Sequence, residues 1–253
     1  ADRTASEKDR ENIPPVFRSE NRQPNDSHLL NRRDRKTERD KMKKFKIAEH
    51  FVSINGEGNR LGELAYFIRF PGCNLTCSYC DTDWVNQPDT PYSEMSAEEI
   101  FDAVRFSGVR NVTLTGGEPL LQENISSLIE LLNTDDRIRV EIETNGSADI
   151  APLAGLKKRP AFTLDYKLPS SEMEIMMRVS NFDLLASQDT VKFVAGSSQD
   201  LRRAATVIDA YDLAEKCSVH LSPVFGEIEP ADLVEFMKEN RMNGVSLRLQ
   251  MHK

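Results

Sequence analysis

Membrane-spanning hydrophobicity is missing from this chain: no apolar run approaches the roughly 20 residues that a bilayer-crossing helix needs, and nothing resembles the apolar segment of a signal peptide. A basic excess is missing too. With 33 Lys plus Arg against 41 Asp plus Glu the formal net charge is −8, which leaves no electrostatic footprint for a nucleic-acid backbone. Cysteine is scarce, four in 253 residues, and three of the four stand within a single eight-residue stretch. Three neighbours cannot pair evenly into disulfides, and a chain of this length buries enough core to do without such staples. These absences predict a soluble protein of the reducing cytoplasm, with no nucleic-acid partner and no membrane.

Large apolar side chains are also sparse in residues 1–41, which hold 11 basic and 9 acidic residues. The segment follows neither a 3.6-residue nor a 2-residue apolar period. Such a composition buries too little surface to offset the entropy of ordering. A disordered extension over 1–41 and one domain over 42–253, opening at Met42-Lys43-Lys44-Phe45, are therefore expected. The rest of the chain carries 22 basic and 32 acidic residues, so the acidity belongs to the domain.

From Phe45 onward β-rich runs alternate with helical patterns. Candidate strands cover residues 64–70, 111–115, 138–144, 161–165, 190–194, 217–221 and 245–251. Several read as largely apolar runs rather than clean alternations, which suits a sheet covered by helices. Ser96, three residues before Glu99, has the spacing of a capping box and opens a helix through Phe106. Ile125, Leu128, Ile129 and Leu132 share one helical face, as do Leu201, Ala204, Ala205 and Ile208. Pro230 suits the first turn of a helix carrying Leu233, Val234 and Met237. Strand and helix alternating every 25 to 30 residues or so mean βα units on a parallel sheet, and the expected fold is an α/β partial barrel. Ligands of such sheets sit at the carboxyl ends of the strands.

What is present in quantity is chemistry at those strand ends. Cys73-Asn74-Leu75-Thr76-Cys77-Ser78-Tyr79-Cys80 sets three thiols at C-x3-C-x2-C spacing. Three thiolates this close fit one soft metal centre, and a cubane iron–sulfur cluster wants four sulfur ligands, so one iron would stay open to a small molecule. A structural zinc site is the competing reading, with His50, Cys217 or His220 as its fourth ligand. Cys217 sits in a candidate strand and reads equally as a small core residue. Gly116-Gly117-Glu118-Pro119 follows the strand 111–115, where two glycines permit close backbone approach to a ligand. Glu143-Thr144-Asn145-Gly146 ends the next strand, and Asp165-Tyr166-Lys167 and His220-Leu221-Ser222-Pro223 end two later ones. Upstream of the cysteines, Asn55 and Glu57 offer hydrogen bonds to a heterocycle, and Arg69 offers a bidentate fork to a carboxylate or else a surface salt bridge.

The cysteine spacing with Gly-Gly-Glu-Pro resembles the radical S-adenosylmethionine enzymes. The longer run F-x-S-I-N-G-E-G, then F-I-R-F-P-G-C-N-L-x-C-x-Y-C-D-T, is similar to the 7-carboxy-7-deazaguanine synthases, from about Phe45 to the chain end. That resemblance implies a [4Fe–4S] cluster on Cys73, Cys77 and Cys80, with S-adenosyl-L-methionine contacts at Gly117, Glu143, Thr144, Asn145, Lys167 and Ser222. It implies pterin contacts at Ile54, Asn55, Gly56, Glu57, Arg69 and Thr115. It also implies Mg2+ on Thr82, whose hydroxyl could instead cap a helix. The implied reaction turns 6-carboxy-5,6,7,8-tetrahydropterin into 7-carboxy-7-deazaguanine with loss of ammonia, a carbon–nitrogen lyase step of queuosine biosynthesis. A homodimer and an electron donor such as flavodoxin or ferredoxin are implied with it. A glycyl-radical activase would share the cluster and the glycine turn but act on a protein, and a zinc-binding interaction module would bind no cofactor.

Overall fold

The computed structural model describes residues 44–249; the extension expected over 1–41, the domain start at Met42 and residues 250–253 lie outside the described residues. The strands are β1 (Phe45–Ile47), β2 (Glu49–Ile54), β3 (Leu64–Phe70), β4 (Ser93–Met95), β5 (Asn111–Gly116), β6 (Arg139–Thr144), β7 (Ala161–Tyr166), β8 (Thr190–Ala195), β9 (Ser218–Pro223) and β10 (Val245–Leu247). β1 and β4 pair as a small antiparallel ribbon, and the other eight form one sheet in the order β10-β9-β8-β7-β6-β5-β3-β2. Neighbours in that sheet are parallel except β2 with β3.

Parallel neighbours cannot be joined by a tight turn. The longer crossovers carry α1 (Ala97–Ser107), α2 (Ile125–Leu132), α3 (Ser198–Ala210) and α4 (Pro230–Glu239). The expected capping box opens α1: Ser96 Oγ accepts from the Glu99 N–H at 3.1 Å while the Ser96 N–H donates to Glu99 Oε2 at 2.7 Å. Gly108 closes it with φ 71°, a left-handed turn that suits glycine. All four predicted apolar residues of α2 are buried. On α3 the buried apolar residues are Leu201, Ala204, Val207 and Ile208, so Val207 takes the place expected of Ala205. On α4 Leu233 is buried with Phe236 and Met237 packed beside it, whereas Val234 faces out, because positions three and four apart share a helical face and 233 and 234 do not.

On β5, β6, β7 and β9 core residues alternate with polar ones, whereas β3 and β8 are the largely apolar runs expected, with Phe67 and Val194 on the cavity side beside Arg69 and Lys192. Ile68, Phe70, Val112, Leu114, Val140, Ile142, Phe162, Leu164, Val191, Phe193, Val219 and Leu221 form the core under the helices. Burying each such side chain contributes about 1.5–3 kcal/mol. The residues between them on the same strands point the other way. These are Arg69, Thr113, Thr115, Glu141, Glu143, Thr163, Asp165, Lys192 and His220, and they make a polar inner face.

Residues of β2 and of β8 line one cavity, although five strand spacings of roughly 4.8 Å would separate them on a flat sheet. The sheet must therefore curl. Its outer strands, β2 and β10, do not pair with each other, so the curl is a partial barrel and not a closed one. The segment after β2 turns into this barrel from the amino ends of the strands. Asn55 Nδ2 donates to Glu141 Oε2 at 3.1 Å, Thr113 Oγ1 donates to Asn55 Oδ1 at 3.2 Å, and Asn59 Nδ2 donates to the Asp189 carbonyl at 3.2 Å. Gly58 lies so close to Glu141 that an added Cβ would stand 1.9 Å from Oε1. The 55–59 segment is thus the floor of the barrel.

Candidate active site

The cysteine loop leaves β3 at Phe70 and is clamped by the glycine turn after β5. Gly117 N–H donates to the Phe70 carbonyl at 3.0 Å, Glu118 N–H to the Gly72 carbonyl at 2.9 Å, and Gly72 N–H to the Val85 carbonyl at 2.9 Å. A Cβ on Gly116 would lie 2.1 Å from the Phe70 oxygen, and one on Gly117 would lie 2.1 Å from the Gly72 oxygen. Sequence reasoning gave this glycine pair to a ligand; backbone pressed on backbone requires it first. The far side of the loop is held by Ser78, whose Oγ donates to the Ser170 carbonyl at 2.6 Å. Cys73, Cys77 and Cys80 emerge as half-buried free thiols on one cavity of about 1020 Å3.

Glu118 ties this turn to the next. Its buried carboxylate accepts from the Leu120 N–H at 3.0 Å, the Thr144 hydroxyl at 2.9 Å and the Asn145 N–H at 2.7 Å. Burial pushes the carboxyl up, and those donors pull it back. Asn145 in turn reaches the cysteine loop, with Nδ2 3.4 Å from Cys73 Sγ and 3.1 Å from Asn74 Oδ1.

A charged wall faces the thiols. Lys192 Nζ lies 2.7 Å from Glu57 Oε2 and 3.1 Å from Asp165 Oδ2, and Lys167 Nζ lies 2.9 Å from the same Asp165 oxygen. Burial alone would raise the Asp165 carboxyl, but the two ammonium groups outweigh it and hold the group below its usual range. Its other oxygen, Oδ1, is buried without a hydrogen-bond partner. Glu143 stands between Glu57 and Thr115. Burial, and after it the Glu57 carboxylate, push the Glu143 carboxyl up to about 8. A carboxyl raised on folding destabilises the folded state as pH climbs from its ordinary value near 4.5 towards 8. Glu143→Gln is accordingly expected to melt later than the parent at pH 8, by roughly 2–4 °C per kcal/mol recovered, and to melt with it at pH 4. Parallel melting curves at the two pH values would dismiss the desolvation argument.

Of the residues singled out in the sequence, Ile54, Gly56, Glu57, Arg69, Cys73, Cys77, Cys80, Thr82, Thr115, Gly117, Glu143, Thr144, Asn145 and Lys167 all line this cavity. Asn55 and Ser222 are buried away from its wall. The Asn55 amide donates to Glu141 and accepts from Thr113. Arg69 has a protein partner, Glu49 Oε1 at 2.7 Å. Thr82 precedes a short 3-10 turn without capping it, so the capping alternative falls. The reading missed Lys192 and Glu118. Lys192 had a signal, a lone cation at an inward position of T-V-K-F-V; the anchoring role of Glu118 has none, because its partners come from another turn.

The zinc alternative loses its fourth ligand. Cys217 is a core residue at the amino end of β9, with its thiol pushed up to about 11 by burial. His50 bonds Tyr66 at 2.6 Å, and His220 lines a separate cavity of about 240 Å3. Among the described residues no three His, Cys, Asp or Glu side chains gather to hold one ion, as tetrahedral zinc with its bonds of about 2.3 Å to sulfur requires.

Residues 67–238 match the model of the radical SAM superfamily. The 7-carboxy-7-deazaguanine synthase of Clostridium acetobutylicum is 51% identical over 209 residues, which span 83% of this chain and 95% of that protein. This chain belongs to the 7-carboxy-7-deazaguanine synthase family. The synthase of Chlorobaculum tepidum is 35% identical over 210 residues, 82% of this chain and 92% of that protein. The crystal structure of QueE from Escherichia coli shares the fold, with a TM-score of 0.63 at 20% identity over 82% of this chain and 94% of the other. As a member of this radical SAM family the chain is an enzyme of the lyase class, and the family implies a [4Fe–4S] cluster and S-adenosylmethionine. The residues fit that cluster: three free thiols at separate points of one cavity wall suit a cubane, which spreads its ligands over different irons. Among the described residues no helix is long and apolar enough to cross a membrane.

Proposed function

We propose that the cavity converts 6-carboxy-5,6,7,8-tetrahydropterin to 7-carboxy-7-deazaguanine with loss of ammonia. One observation carries this reading: the three thiols, the Arg69 guanidinium and the Glu57, Lys192, Asp165 and Lys167 charges all face one cavity of about 1020 Å3. That volume lies at the upper end for a small-molecule site and suits two ligands side by side. When bound, the cluster and S-adenosylmethionine supply one-electron cleavage and a radical able to take a hydrogen atom. The chain's own residues position and shield.

In this reading Gly117, Glu143, Thr144, Asn145 and Lys167 approach the cofactor at the carboxyl ends of β5, β6 and β7. The buried and unpartnered Asp165 Oδ1 accepts a hydroxyl or amine of a ligand. Ile54, Gly56 and Glu57 rise from the floor under the pterin, with Thr115 beside it, while Arg69 exchanges Glu49 for the substrate carboxylate. Thr82, whose hydroxyl caps nothing, holds Mg2+ with substrate oxygens, a ligand class that a hard cation prefers. An electron donor such as flavodoxin or ferredoxin and a reducing compartment serve thiols that must stay unoxidised. A dimer is supported by the free edge of β2, the outer strand of the sheet, where Val52 is exposed.

Incubating the reduced, iron-reconstituted protein with the pterin and S-adenosylmethionine is expected to give the deazaguanine and ammonia. Arg69→Ala should raise KM for the pterin at least about tenfold, as truncating one partner of a desolvated charge pair costs on the order of 2–5 kcal/mol. Cluster content should not change. Parent-like pterin kinetics in Arg69→Ala would assign the carboxylate to another group, and absence of product from the parent would remove the substrate assignment itself.

A further inference from the structure

We propose that Asn145 is a positioning residue that tunes the electron affinity of the cluster by donating its side-chain N–H to the sulfur of Cys73. The inference rests on the reading above that Cys73, Cys77 and Cys80 carry the cluster. Its geometry is independent of any cofactor contact. The orientation of the amide follows from its neighbours. The Ser147 backbone N–H can only donate, and it lies 3.0 Å from Asn145 Oδ1, with Ser147 Oγ 2.6 Å from the same atom. That fixes Oδ1 as the acceptor and turns Nδ2 to the cysteine loop, 3.4 Å from Cys73 Sγ and 3.1 Å from Asn74 Oδ1. Asn74 agrees, since its own Nδ2 donates to Ser147 Oγ at 2.9 Å and leaves its oxygen to accept.

The backbone of Asn145 is held as firmly, through the 2.7 Å bond from its N–H to buried Glu118. The residue is 8% exposed, and both of its amide hydrogens have acceptors within the protein, so its side-chain donors are held on the cysteine loop. Cys73 Sγ meanwhile receives a second N–H, from Leu75 at 3.4 Å. Donors onto a ligating sulfur favour the more negative, reduced state of a cluster, and hydrogen bonds to sulfur are among the determinants of its potential. Glu118 thereby acts at two removes from the metal, through Asn145 and then through sulfur.

The test uses the reconstituted protein without S-adenosylmethionine, poised where the parent cluster is half reduced and read by electron paramagnetic resonance. Asn145→Asp keeps the shape, withdraws the donor and adds negative charge; Asn145→Ala only withdraws the donor. Both are expected to lower the reduced-to-oxidised ratio by about threefold or more, within the range of one ordinary hydrogen bond. An unchanged ratio in either variant that holds the cluster would overturn the inference, as would an altered cofactor affinity with an unchanged ratio, which points to a cofactor contact instead. The parent labelled with 15N in the asparagine side-chain amide gives a reading that does not depend on variants folding. Pulsed resonance of its reduced cluster should show a 15N coupling, and no coupling would overturn the inference. Failure of the parent to assemble any cluster would overturn the reading of the three cysteines, a separate result.

Discussion

Gly117→Ala should slow reductive cleavage of S-adenosylmethionine by about 100-fold, the loss that a displacement near one ångström can produce at a reacting centre. An ideal Cβ at this position stands 2.1 Å from the Gly72 oxygen and 2.4 Å from its carbonyl carbon, so the obstruction is backbone and has no rotamer to escape into. The next residue adds to it, because the Glu118 N–H already bonds that same Gly72 oxygen at 2.9 Å. The cysteine loop and the β5 turn must move apart. Small-to-large changes of this kind cost about 1–3 kcal/mol, which the outer core should absorb, so circular dichroism should report a folded chain while iron content and cleavage fall. Gly155→Ala is the control, since its Cβ meets nothing nearer than the Ala151 oxygen at 3.4 Å. Parent-like cleavage by Gly117→Ala would mean that the clamp does not set the loop.

Lys192→Met is expected to lower stability at neutral pH by about 3 kcal/mol, the lower end of the range for removing one partner of a buried ion pair. Lys192 neutralises Glu57 and Asp165 together, and all three side chains are at most 20% exposed. Asp165 retains Lys167 at 2.9 Å after the change, which is why the lower end applies, whereas Glu57 is left with a charge and no ammonium. The pH dependence has a definite sign. Asp165 is depressed by its two lysines in the parent, so the stability it contributes is present above its unfolded value and is lost as pH falls through the folded one. The gap between parent and variant in urea unfolding should therefore hold from pH 8 to about pH 4 and narrow only below it, as pH falls beneath the ordinary Asp165 value of 3.8. A gap below about 1 kcal/mol at pH 8, or one that widens on acidification, would show that the network is solvated and structurally idle.

Local signals were legible in the sequence, and partnerships between distant segments were not. The Ser96 to Glu99 capping box, the four-residue face of α2 and the cysteine spacing all depend on residues close in the chain, and each stands where its pattern placed it. The floor segment shows the limit. Asn55 carries the polarity of a ligand contact, yet Glu141, 86 residues later, claims its amide. Lys192 and Glu57 are 135 residues apart, and only the curl of the sheet makes them a pair. β2 escaped notice because E-H-F-V-S-I was read as the lead-in to a motif and not as an edge strand antiparallel to β3. Alternation in the parallel strands was visible as well, in E-I-E-T, but parallel strands covered on both faces are expected to be apolar throughout. A lumen filled by ligands breaks that expectation.

The two-sided strands bear on how such a chain can vary. Ile142 and Glu143 are adjacent, yet one is constrained by the helices outside and the other by whatever occupies the cavity. Replacements at inward positions can alter which molecule is accepted while the outer packing stays intact. Loss or gain of a single residue within β6 is a different matter. It reverses the facing of every position beyond it, turning carboxylates on to α2 and aliphatic groups into the lumen, so variation in these strands should come as substitutions, with changes of length confined to the connections.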